Sequence, residues 1–259
     1  MLKRTLSALF LLPFLFFIII KGGIFLYLAS SVISIVALKE FYQIFNKKYS
    51  IKYFRPISYI VCILFLYFNY MKFDSEKIFG VLFLIFLIIV VLSIKEKHNI
   101  LENSIFIFGL IYIPFFLNHI IFILDSSFKH YIWFVFINAW ATDTFAYFSG
   151  FFFGKHKLIP RISPKKTVEG AIGGILGSIL ISMFYGNYFG ISLIHCFFIG
   201  SLGSLVAQLG DLFASSIKRF MDIKDYGNLI PGHGGILDRF DSILLTAPFV
   251  YYYIKIFIA

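Results

Sequence analysis

Runs of apolar residues, 16 to 27 long, follow one another along almost the whole chain. Crossing the hydrocarbon of a bilayer takes about 20 apolar residues in helical form, and a helix satisfies its own backbone hydrogen bonds where no water is present. Such a succession predicts an all-α fold, a polytopic transmembrane helix bundle. Nine spans are expected, at about 5–20, 23–38, 56–71, 78–94, 104–124, 131–153, 170–190, 191–217 and 242–258. The first few are short for a bilayer, and the eighth is long enough to continue beyond it as helix. Charged residues make up 14% of the chain, against about 25% in an ordinary soluble domain. The 21% aromatic content excludes disorder. No polar segment is long enough to bury a core of its own, so 1–259 is read as a single integral membrane domain. Its 1–125 part holds plain hydrophobic spans, and its 131–259 part holds the functional half.

The basic residues orient the spans. With nine spans, one side receives the N-terminus and the loops after spans two, four, six and eight. That side carries 18 Lys and Arg, and the other carries 5. Positive charge collects on the cytoplasmic side, so the N-terminus is expected in the cytoplasm and the C-terminus outside. The net charge of +10 is thereby explained by topology and by attraction to anionic headgroups, with no nucleic acid as partner. The start, MLKRTLSALFLLPFLFFIII, has the basic and apolar regions of a signal peptide, but no small-residue cleavage site precedes Lys21. It is expected to remain as the first span. Cys62 and Cys196 both lie in apolar runs and are expected as buried small hydrophobes, since no CxxC pattern supports a disulfide framework or zinc.

From Asn138 onward polar and small residues become concentrated in the spans, and no convincing internal repeat is visible. In CFFIGSLGSLVAQLGDLFASSIKRF, the residues Gly203, Ala207, Asp211 and Ser215 recur every four positions and share one helix stripe. A carboxylate within a span points to function, because leaving it unpaired is expensive; the plainer alternative for Asp211 is an aspartate paired with a lysine at the interface. Asp238 and Asp241, three apart at the start of the ninth span, face the same way on a helix and repel. A cation would hold such a cluster together, and all-oxygen ligands suit Mg²⁺. The alternative is that these two aspartates only favour the positive end of a helix dipole. In PGHGG, Gly232, Gly234 and Gly235 allow positive φ and a backbone that can cradle phosphate oxygens, with His233 as a further donor. A tight turn without a ligand is the plainer reading. Ser163 followed by Pro164 reads as a helix N-cap and first residue, which would crowd Lys165, Lys166 and Thr167 into the first turn. Cations there oppose the helix dipole and imply an anion such as a triphosphate; a membrane-side anchor is the simpler reading. Gly170, Gly173, Gly174 and Gly177 predict close helix packing, and Asp143 is a further in-span carboxylate that needs a partner, is expected to line the same cavity and ranks below the other three aspartates. An acidic cluster beside a basic, glycine-rich rim suits metal-assisted phosphoryl or nucleotidyl transfer.

The segment SSIKRFMDIKDYGNLIPGHGGILDRFD, Ser215 to Asp241, resembles the signature of the phosphatidate cytidylyltransferases. The matching positions are Ser215, Lys218, Arg219, Lys224, Asp225, Gly227, His233, Gly234, Gly235, Asp238, Arg239 and Asp241. SPKKTVEG from Ser163 and DTFAYFSGFFFGKH from Asp143 also resemble that family, so the likeness covers roughly Asn138 to Asp241. The resemblance implies transfer of the cytidylyl group of CTP to phosphatidate by a homodimeric integral membrane enzyme. It implies a divalent metal, with K⁺ possible beside it, at Asp211, Asp238 and Asp241. Lys218 and Lys224 join those aspartates as expected catalytic residues. Ser163, Lys165, Lys166, Thr167, Ser215, Arg219, His233, Gly234, Gly235 and Arg239 are expected to bind substrate. A bacterial inner membrane is the expected location, with the site facing the cytoplasm. Two other readings are weighed: a CTP-dependent polyprenol kinase, and a membrane anion transporter, which would be expected to show repeats or broken helices in both halves.

Overall fold

Each expected span outside 78–94 coincides with a helix in the computed structural model, which describes residues 2–51, 54–71 and 100–259 and, between them, only 80, 83–84, 86–87 and 90–91. The fourth expected span lies outside the described residues apart from those isolated positions. In chain order the helices are α1 (Leu2–Lys21), α2 (Gly23–Phe45), α3 (Phe54–Tyr70), α4 (Ile100–Leu124), α5 (Ile132–Phe153), α6 (Val168–Tyr188), α7 (Leu193–Phe220), α8 (Leu237–Phe240) and α9 (Ile243–Phe257). Four of them, α2, α4, α6 and α7, are long and apolar enough to cross a membrane. The one sheet among the described residues is a hairpin of β1 (Lys157–Ile159) and β2 (Ser163–Thr167).

Contacts group the chain into two units: Met1–Asn118 with Tyr226–Leu237, and His119–Asp225 with Asp238–Ala259. In the first, α1 and α2 are separated at Gly22 and Gly23, which take φ of 58° and 52°. Two consecutive left-handed residues strongly favour glycine. The core of this unit is aromatic. Phe41 and Tyr42 on α2 are fully buried, and the Tyr42 hydroxyl donates to the Phe106 carbonyl at 3.0 Å. Gly109 makes room for that ring, because a Cβ there would stand 2.7 Å from the Tyr42 oxygen. The middle turn of α4, Ile111–Phe115, widens to π-helix around Pro114, whose missing N–H interrupts the regular ladder. Cys62 is buried here, and Cys196 is buried in the second unit; both are free.

In the second unit α5, α6 and α7 pack through glycine, as the sequence led us to expect. Cβ atoms at Gly170 and Gly174 would meet the Ala146 and Thr142 carbonyls at 2.8 and 2.9 Å, and Gly173 and Gly177 abut Ser149 and Phe145. On α7, Gly200 lies against the backbone of Ile179, and Gly203 against Asn138. Short polar side chains complete the contact: Thr142 donates to Ser204 at 2.7 Å, and Ser178 donates to Asn138 at 2.9 Å.

One local expectation is corrected. Ser163 does not cap α6, and Lys165 and Lys166 do not lie in its first turn. Ser163–Thr167 is extended and pairs with β1, and the cap is Thr167, whose Oγ1 accepts from the Gly170 N–H at 3.1 Å. The hairpin satisfies the backbone of these residues before the helix begins. Glu169 ties the hairpin to that start by accepting from the Lys155 N–H at 3.1 Å and contacting His156 Nδ1 at 2.6 Å.

Candidate active site

The second unit brings most of the expected charged residues together. Asp211 sits on the small-residue stripe of α7, where Ser215, one turn on, donates to it at 3.2 Å. The adjacent Gly210 lets the α8–α9 junction approach, since a Cβ there would stand 2.8 Å from the Asp241 carbonyl. That approach sets Asp211 and Asp241 close enough to interact electrostatically, with Asp143 of α5 as a third interacting carboxylate. Asp143, ranked below the other three from sequence, thus belongs to the same group.

Two lysines hold this group together. Lys166 of β2 pairs with Asp211 at 2.5 Å. Lys218, two turns beyond Asp211 on α7, pairs with Asp238 at 2.8 Å, with side chains only 10% and 2% exposed. Lys218 also pulls on the charge of Asp241. The extended form of β2 matters for this: alternation along a strand sends Lys165 and Lys166 to opposite faces, and Lys166 reaches the carboxylate while Lys165 stays exposed. Asp241 accepts from the Ser242 N–H at 2.9 Å. Desolvation, reinforced by the Asp211 and Asp143 charges, nevertheless pushes its carboxyl well above the ordinary carboxylate range.

The remaining expected residues of this unit frame the cluster less directly. Arg219 donates to the Ile162 carbonyl at 3.2 Å and the Ile223 carbonyl at 2.8 Å, joining the end of α7 to the hairpin. Lys224 and Arg239 are exposed, and Arg239 lies within electrostatic range of Asp143. Ser163 is half-buried in β2, and the Thr167 oxygen is engaged as the helix cap.

The glycine turn lies in the first unit. Gly232 and Gly234 take φ of 79° and 84°, as a tight turn rich in glycine requires. The Ile230 N–H donates to the Gly234 carbonyl and the His233 N–H to the Ile230 carbonyl, both at 2.9 Å. Sequence reasoning missed the residue that holds the backbone at the end of this turn. Glu40 of α2, 6% exposed, accepts from the Ile236 N–H at 3.0 Å and the Leu237 N–H at 2.9 Å. The amides of Ile236 and Leu237, which follow the glycines, are therefore bonded to a protein carboxylate. The available signal was an acid at the edge of a long apolar run, two residues beyond the expected end of the second span.

Carboxylates are the right donors for a hard divalent cation, and the crowding of Asp143, Asp211 and Asp241 is the arrangement such a cation relieves. Among the described residues no three acidic, His or Cys side chains converge on one ion position. Lys166 and Lys218 neutralise Asp211 and Asp238 as they stand.

Residues 2–257 match the profile of the Cytidylyltransferase family. A phosphatidate cytidylyltransferase of Staphylococcus saprophyticus is 34% identical over 95% of both chains. One from Rickettsia bellii is 40% identical over 66% of this chain and 79% of its own, and one from Bacillus subtilis is 43% identical over about half of each. With a match that runs nearly end to end and carries the lysine–aspartate cluster within it, this chain belongs to the phosphatidate cytidylyltransferase family.

Proposed function

We propose that the protein transfers the cytidylyl group of CTP to phosphatidate, yielding CDP-diacylglycerol and pyrophosphate for phospholipid synthesis. The observation that carries this reading is the pairing of Lys166 with Asp211 and of Lys218 with Asp238 beside Asp241 and Asp143. Lys218, Asp238 and Asp241 of the family signature belong to one unit with Lys166, Asp211 and Asp143.

The phosphate monoester of phosphatidate has its second pKa near about 6, so at neutral pH it is already a dianionic nucleophile. No side chain is needed to strip a proton from it. Its oxygen forms a bond to the α-phosphorus of CTP while the bond from that phosphorus to the bridging oxygen breaks, and pyrophosphate leaves with the electron pair. The obstacle is the meeting of two polyanions, so the work of the site is positioning and charge neutralisation. Lys166 and Lys218, fixed by their aspartates, present ammonium groups at set positions, with Lys165, Arg219, Lys224 and Arg239 at the exposed margin. Ser215 orients Asp211. Ser163, Thr167, His233, Gly234 and Gly235 enter the substrate-binding set through the motif. Mg²⁺ held by Asp211, Asp238 and Asp241, with K⁺ beside it, would neutralise the CTP phosphates and make the α-phosphorus more electrophilic.

The 18-to-5 division of Lys and Arg supports nine spans with the N-terminus and the site on the cytoplasmic side, where CTP is available. In this reading the chain is one integral domain of a bacterial inner membrane, acts as a homodimer, and receives phosphatidate from the bilayer with its acyl chains still in lipid. The test is to supply phosphatidate and Mg²⁺ with CTP labelled at either the α- or the γ-phosphate. Entry of α-label into a chloroform-soluble CDP-lipid is expected. Entry of γ-label alone would mean a lipid kinase, and transfer of neither would turn attention to transport.

A further inference from the structure

The buried carboxylate of Glu40 reaches across 196 residues of sequence to the peptide units that precede Asp238, with its two oxygens accepting from Ile236 and Leu237. Two glycines close around it. A Cβ at Gly227 would stand 2.7 Å from Oε1, and one at Gly235 would collide with the carboxylate outright. Gly235 differs here from Gly232 and Gly234: its φ is not in the left-handed region, so the close approach of Glu40, not backbone conformation, demands glycine. Glu40, Gly227, Gly235, Ile236 and Leu237 all belong to the first unit.

Burying a carboxylate is costly unless charge-assisted hydrogen bonds compensate it. A turn that needed only closure could use a neutral acceptor. A carboxylate offers two acceptors to two successive N–H groups, whereas an amide would offer one acceptor and set its own NH₂ against the second donor. The turn so held contains His233 and runs without a break into Asp238. Its glycines leave it many conformations unless something outside it selects one.

We propose that Glu40 is a positioning residue for cytidylyl transfer, fixing the turn Pro231–Leu237 and hence the chain entering Asp238; this rests on the functional reading above. Glu40→Gln should lower kcat/KM for CTP at least tenfold per mole of monodisperse protein in detergent, with the thermal midpoint moving only a few degrees. Gly235→Ala, which pushes a methyl group into the carboxylate, should do likewise. The two sites should be coupled: shortening the acid in the double variant Glu40→Asp with Gly235→Ala should give a smaller loss than the product of the losses measured for Glu40→Asp alone and Gly235→Ala alone. A purely structural Glu40 would instead lower the yield or midpoint and leave the kcat/KM of the surviving folded protein at the wild-type value. That result, or independent losses in the double variant, overturns the inference while an active wild type leaves the functional reading standing. A wild type that transfers no label defeats that reading first, and this inference with it.

Discussion

Breaking the Lys218–Asp238 pair separates its structural role from its chemical one. The pair is 2.8 Å long with side chains 10% and 2% exposed, so neither charge can turn to water when its partner is removed. Truncating one member of a buried pair costs about 3–5 kcal/mol, most of it the desolvation of the charge left behind. In Lys218→Met the loss should lie at the upper end, because Lys218 also offsets the Asp241 charge. A chain of this size loses about 2–4 °C per kcal/mol, so each single variant should melt roughly 6–20 °C below wild type. The double variant Lys218→Met with Asp238→Asn leaves no uncompensated charge at the pair and should regain at least half of that loss. Melting can be followed in detergent by the fluorescence of the two tryptophans, Trp133 and Trp140, both on α5. Transfer of α-label to lipid should remain depressed by about 10² or more in all three variants, since the ammonium group and carboxylate would be lost together or singly. A double variant as unstable as the sum of the singles would refute the desolvation argument. Transfer that returned along with stability would show that the pair serves the fold alone.

Because its surroundings raise the Asp241 carboxyl above the usual range, protons compete there with a cation near neutral pH. The carboxyl must ionise to bind metal, so the Mg²⁺ concentration for half-maximal activity should fall severalfold from pH 6 to pH 8; a flat profile would exclude Asp241 as a ligand. Gly200→Ala should lower the melting point by several degrees, because its Cβ would meet the Ile179 Cα at 2.9 Å and backbone yields less readily than a side chain, at a cost of about 1–3 kcal/mol. An unchanged melting point would mean that α6 and α7 can separate without penalty.

The helices were legible because each depends on one local property, the length of an apolar run. The limits 131–153 and Ile132–Phe153 differ by one residue, whereas α2 runs to Phe45, seven residues beyond the expected 38. The β1–β2 hairpin was not legible. KHKLIPRISPKKT has no alternating apolar face, and Ser163–Pro164 imitates a helix start that Thr167, four residues later, supplies. The aspartates could be named from their isolation in apolar surroundings, as with Asp211. Their partners could not, since Lys166 reaches Asp211 only once β2 is extended and Gly210 has admitted the α8–α9 junction. Glu40 was the hardest to find. It binds backbone N–H groups, which every residue but proline possesses, so its partners at 236 and 237 carry no mark in the sequence.

The most direct test is the fate of α-³²P-CTP given to detergent-purified wild type and Asp241→Asn protein with phosphatidate and Mg²⁺, each preparation first shown to be folded and monodisperse. Label should pass to a CDP-lipid with the wild type and stop with EDTA or with the variant. Undiminished transfer by Asp241→Asn would remove the aspartate cluster from the chemistry, and an absence of α-label in lipid from the folded wild type would contradict cytidylyl transfer itself.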